Sequence, residues 1–85
     1  MMFADINATS VRKMRTSELA QAKREAAEAL RYARAQINTA YHDAVKHHAM
    51  GILTEAKDAW NPIIQWREEE IKTISEELDR RQRNR

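Results

Sequence analysis

His42, Asp43, His47 and His48 crowd one short stretch of the chain, and imidazole beside carboxylate is common material for metal binding or proton transfer. A zinc site on a single helix places its ligands at i and i+4, yet no two of these histidines stand four apart. There is no cysteine to complete a ligand set. Asp43 and His47 do have the four-residue spacing that would hold an imidazole in one tautomer, as a general base requires. No nucleophile accompanies them. Lys46, His47 and His48 read more simply as cations at a helix C-terminus, where the backbone dipole favours positive charge. His48 also continues an apolar stripe and is expected to be a hydrogen-bonded core or interface residue.

The acids Glu68, Glu69, Glu70, Glu76 and Glu77 offer paired carboxylates, with Glu70 and Glu77 seven residues apart on one helix face. A di-iron bundle would need a Glu-x-x-His motif, which is absent, so the run reads as a solvated surface. No catalytic residue, metal ligand or cofactor site is assigned, and the expectation is a non-enzymatic protein.

The stretch AWNPIIQWREEE, residues 59–70, holds both tryptophans and the one proline of the chain. Asn61 followed by Pro62 is a helix-start signal, because Asn caps free amides and proline at the first helical position forgoes a bond that would not be made. Trp60 then staples the junction against Ile64 or Gln65, while Trp66 lies about 110° from the centre of the stripe formed by Ile63, Ile64, Ile71, Ile74 and Leu78. An off-stripe tryptophan beside an arginine suits a protein interface. The other reading packs Trp66 on the N-terminal arm or the long helix. Arg67 falls in the stripe between Ile63 and Ile71, either pairing across an interface or laying its stem on the core with its head in solvent or on an internal acid such as Asp43. Trp60, Ile63, Trp66, Arg67 and Ile71 are the candidate partner-binding residues.

The string WNPIIQW resembles a W-D-P-I-I-E-W segment of the mitochondrial assembly chaperones that bind the alpha subunit of the F1 ATPase, with Trp60, Pro62, Ile63, Ile64 and Trp66 as identities. It covers seven residues, and the rest of that larger, partly β family has no counterpart here. The resemblance implies only that such a corner can serve a protein partner.

A basic stripe is the alternative site. Arg24 and Arg31 share a helix face, Arg34 follows, and Arg80 and Arg81 stand near the C-terminus; phosphate binding needs little more than such cations. Glu18, Glu25 and Glu28 interrupt the stripe, and no helix-turn-helix glycine or ribonucleoprotein aromatic pattern is present. The C-terminal arginines read equally as a solubilising tail.

These residues must be positioned by helices. The chain of 85 residues has one glycine, one proline and 33% charged residues that nearly cancel to +2, a composition of long helices. Residues 1–16 read as an arm or short helix. From Ser17, a plausible N-cap before Glu18, a helix is expected to about residue 50, with Leu19, Ala26, Leu30, Ala33, Ile37, Tyr41, Ala44 and His48 on one stripe at about 100° per residue. Its ten alanines between Ala20 and Ala49 let a second helix approach closely. Gly51 either closes this helix in the left-handed conformation or is carried within a longer helix reaching Trp60. The corner is placed at 51–61, a second helix at about 62–80, and a basic tail runs to 85. Glu76 with Arg80, Glu77 with Arg81 and Asp79 with Arg83 are acid-before-base pairs that read as a solvated outer face.

The expected fold class is therefore all-α, a helical hairpin or small bundle, oligomeric or stabilised by a partner because two helices bury little surface. No run approaches the roughly 20 apolar residues of a membrane span, no cysteine suggests an oxidising compartment, and a soluble, cytoplasmic protein is expected. The leading expectation is a protein-interaction factor, an adaptor or inhibitor docking on a larger macromolecular machine. Its composition matches accessory proteins of phages and mobile elements. Nucleic-acid binding and a homo-oligomeric scaffold are the alternatives.

Overall fold

The computed structural model describes residues 7–84, and these form three helices: α1 (Ala8–Lys13), α2 (Thr16–His47) and α3 (Met50–Arg83). α2 and α3 pair antiparallel as a hairpin measuring 56 × 23 × 15 Å. α1 packs on α3 at the open end of that hairpin. There is no strand among the described residues, so the all-α hairpin expected from composition is the fold.

Small residues set the pairing. On α2 the covered positions include Leu19, Ala26, Leu30, Ala33, Ala40 and Ala44, with Ile37 half-buried. From Ala26 onward these alternate by four and three residues, the 3.5-residue repeat of coiled-coil packing. α3 keeps the same repeat more strictly. Leu53, Ala56, Trp60, Ile63, Arg67, Glu70, Ile74, Glu77 and Arg81 are all buried or half-buried.

This repeat corrects the expected stripe on α2. At 3.6 residues per turn the stripe drifts by about 20° per heptad and ends on Tyr41 and His48. In the hairpin Tyr41 is 49% exposed and Ala40 takes the seam, while His48 is exposed. A supercoiled pair keeps the seam at 3.5.

The turn also differs from the expected corner at 51–61. It is two residues, His48 and Ala49. His48 adopts the left-handed conformation, φ 51° and ψ 40°, and Ala49 N–H donates to the Ala44 carbonyl at 2.9 Å while His48 N–H donates to Val45 at 3.4 Å. That is the Schellman pattern, with histidine where glycine is usual. Gly51 has no positive φ and lies in the first turn of α3, so it neither closes α2 nor continues it as one longer helix to Trp60, because the chain has already turned at His48.

Asn61 and Pro62 likewise do not start a helix: α3 passes through both, with Pro62 in its interior. The reason lies in the seam, which continues from Trp60 to Ile63 without a break while Pro62 and Asp58 stay exposed. Proline deprives the Asp58 carbonyl of its helical donor, and on the outer face water can replace it.

At the other end, α2 begins at Thr16 with Arg15 in the cap position, two residues before the expected Ser17 cap. The Glu18 carboxylate accepts the Arg15 backbone N–H at 3.0 Å, the reciprocal half of a capping box. α1 is started by Asn7, whose side-chain oxygen accepts from Thr9 and Ser10 N–H. Its Val11 joins Leu19 and Ile74 in a fully buried cluster, flanked by Met14, Ala22 and Leu78.

Candidate interaction surface

The lower half of the α3 seam is charged. Arg67, Glu70, Glu77 and Arg81 occupy positions where a coiled coil ordinarily places aliphatic side chains. Thr16 meets Arg81 at the open end, and Arg34 pairs with Glu68 midway at 3.1 Å. A hairpin in that register sets the small side chains around Ala26 at the level of Glu70. Alanine leaves the room that a guanidinium and carboxylate need.

Each buried acid has a basic partner on its own helix. Arg67 donates to Glu70 at 2.8 Å, and its guanidinium also lies 4.5 Å from the Trp66 ring centroid, a cation–π distance. Glu70, not the exposed Asp43, is thus the acid that meets Arg67. Glu77 accepts two bonds from Arg80, at 3.0 and 2.6 Å, and one from Arg81 at 2.7 Å. These bonds, Arg80 first and Arg81 second, hold the Glu77 carboxyl down from 4.5 to about 2 against the opposing effect of burial. Glu77 reciprocally raises Arg80 above its ordinary value. The acids expected on a solvated surface therefore include two buried carboxylates, Glu70 and Glu77, and Arg80 pairs with Glu77 in place of Glu76.

Arg81 reaches further. Its terminal nitrogens donate to the carbonyls of Val11 at 3.0 Å and Met14 at 2.6 Å, with Arg12 at 3.4 Å, and to the Thr16 hydroxyl at 3.1 Å. Arg81 is a structural tie to α1, contrary to its reading as a phosphate ligand or part of a solvated tail. The heptad spacing Arg67, Ile74, Arg81 was the signal that placed it on the seam.

The tryptophan region is not a corner. Trp60 and Ile63 lie on the seam, Ile71 and Trp66 flank it, and all four are half-buried. Tyr32 sets its ring edge-on to Trp60 at 5.7 Å. The expected partner-binding residues are brought together along one stretch of α3, but they pack largely within the hairpin. Of the alternative basic set, Arg24, Arg31, Arg34 and Arg80 are exposed and Arg81 is half-buried; Arg34 is paired with Glu68 and Arg24 with Gln21.

Tyr32, beside Trp60, is 60% exposed, and the other large apolar residues left in solvent among the described residues lie elsewhere. Tyr41, Val45, Met50 and Ile52 are 49%, 52%, 55% and 37% exposed and occupy the last two turns of α2 and the first turn of α3, the closed end of the hairpin. Sequence periodicity assigned Tyr41 to the core and made nothing of the other three. Large apolar residues off the seam on both sides of a turn were the signal. His42 stacks edge-on to Tyr41 at 5.7 Å, and among the described residues no three His, Asp or Glu side chains converge as a metal site would require. Nor is any helix of the described residues long and apolar enough to cross a membrane. No protein family, no curated protein and no solved structure matches the chain.

Proposed function

We propose that this chain is a non-enzymatic interaction module, an adaptor or inhibitor that docks on a larger protein through the closed end of its hairpin. One observation carries the reading. Tyr41, Val45, Met50 and Ile52 are exposed at the end where the chain turns, and aromatic and methionine side chains are enriched in interface cores. The residues first assigned to docking, Trp60, Ile63, Trp66, Arg67 and Ile71, then serve to hold the hairpin rigid behind its tip.

A second reading, nucleic-acid binding, draws on the opposite end. Arg12, Lys13, Arg15, Arg80 and Arg83 are exposed there, and such cations bind phosphate in a salt-dependent way. The test is capture of partners from a nuclease-treated lysate at moderate salt by the intact chain, by Val45→Asp/Met50→Asp and by Trp66→Ala. The proposal expects one protein partner retained by the intact chain and by Trp66→Ala and lost with the tip variant. Loss with Trp66→Ala alone returns docking to the tryptophan stretch. Binding to added nucleic acid that falls steeply with salt and with Arg12→Ala/Lys13→Ala moves the second reading ahead.

A further inference from the structure

The break between α1 and α2 is marked locally by the Glu18 cap on the Arg15 amide, not by a helix-breaking residue. Residues 12–15 are Arg, Lys, Met and Arg, all good helix formers, and neither glycine nor proline occurs before Gly51. Met14 and Arg15 are nevertheless extended, at ψ 148° and 154°. A second hold comes from outside the segment.

Arg81 stands at that place. In one continuous helix the Val11, Arg12 and Met14 carbonyls would accept from the amides of Arg15, Thr16 and Glu18, four residues on. Here one terminal nitrogen of Arg81 donates to Met14 at 2.6 Å and Val11 at 3.0 Å, with Arg12 at 3.4 Å; Val11 also accepts the Met14 amide at 3.2 Å, and the Arg15 amide turns to the Glu18 carboxylate. The Arg15 amide and the Val11, Arg12 and Met14 carbonyls keep partners across the break, and a fused helix would supply those partners from the backbone. What separates the two states is the burial of Val11 against Leu19 and Ile74.

We propose that α1 is an exchangeable strap: Arg81 clasps it against its own hairpin, and release of the clasp fuses α1 to α2 and delivers Val11 to the same groove of a second copy. A six-residue helix does not persist alone, so the strap is helical only when docked or fused. The groove it leaves is apolar, at Leu19, Ile74 and Leu78, and its natural filler is the segment shaped for it. Fusion points α1 out beyond the open end of its own hairpin, where a second hairpin meeting it end to end presents that groove. A short hinge between two such states is a recognised route to domain swapping.

The chain lacks cysteine, so spin labels at Thr9→Cys and Lys72→Cys report the strap without interference. Labelled chains diluted in unlabelled ones give the distance within one chain. In the wild type it is expected to be short, because α1 packs on α3. Arg81→Ala is expected to lengthen it by roughly 10 Å or more, at about 1.5 Å per fused residue, and to double the mass in sedimentation at sub-millimolar concentration. Adding Arg15→Pro, which fits the φ of −71° at that position and disfavours a continuous helix by removing the Arg15 amide and crowding the Val11 carbonyl, should restore the short distance and the monomer. Glu77 keeps its Arg80 bonds in Arg81→Ala, so the hairpin has reason to survive. If it does not, Arg81→Lys, a cation without the planar fork, decides by the same two readouts. A distance that stays short, or a mass that stays monomeric, overturns the proposal.

Discussion

Glu77 concentrates the electrostatics of the molecule in one carboxylate. Its folded value of about 2 lies below the ordinary 4.5, so its contribution to stability is complete above the ordinary value and is lost as pH falls through the folded one. Thermal melts should therefore show a loss of Tm between about pH 4.5 and 2 that Glu77→Gln reduces. A variant that melts with an unchanged acid slope would remove Glu77 from that role. Arg67 makes a different case, because both it and Glu70 lie on the seam with side chains 18% and 7% exposed. Arg67→Ala strands a buried carboxylate and should destabilise by about 3 kcal/mol in chemical denaturation, whereas Arg67→Met/Glu70→Leu should recover most of that loss or exceed the wild type. Equal destabilisation by both variants would show that the charges themselves hold the seam.

Between elements, the hairpin turn offers a paired comparison. His48 carries the left-handed conformation and Gly51 does not, and a Cβ built on Gly51 meets nothing within 4 Å. His48→Gly should stabilise by about 1 kcal/mol, since side chains disfavour that region, and Gly51→Ala by about 0.5 kcal/mol, since alanine lowers the entropy of the unfolded chain. Were the glycine the left-handed residue, Gly51→Ala would destabilise, so the sign of its denaturation shift decides where the turn lies. Pro62 is tested the same way. As an exposed residue in the interior of α3 it should give, on Pro62→Ala, a gain of about 1–3 kcal/mol and a higher helical signal; as a helix start it would give a loss.

The whole molecule is a rod. Its radius of gyration is 16.4 Å, against about 12 Å for a compact domain of this length, and its fully buried large side chains are Leu19, Ile74 and Val11. Small-angle scattering of the wild-type monomer should show an elongated particle with a longest dimension near 56 Å. A compact particle would contradict the hairpin. The two ends differ in character, with exposed apolar residues at the turn and exposed cations at the open end, which is why docking and strap exchange are tested by separate variants.

Composition and periodicity alone determined that the chain is helical, that a long alanine-rich helix pairs closely along its length, and that a segment before that helix is separate from it. Those properties are local sums over many residues, and no single contact alters them. The tertiary structure decided the rest. Whether Asn61–Pro62 starts a helix depends on whether the seam continues past it, which Trp60 and Ile63 settle by packing on α2. Whether Glu77 and Arg81 face water depends on a 3.5-residue register that only a partner helix imposes. The break at Met14–Arg15, in a segment whose residues favour helix, is held both by the Glu18 cap and by a guanidinium more than sixty residues away that takes carbonyls a continuous helix would have used.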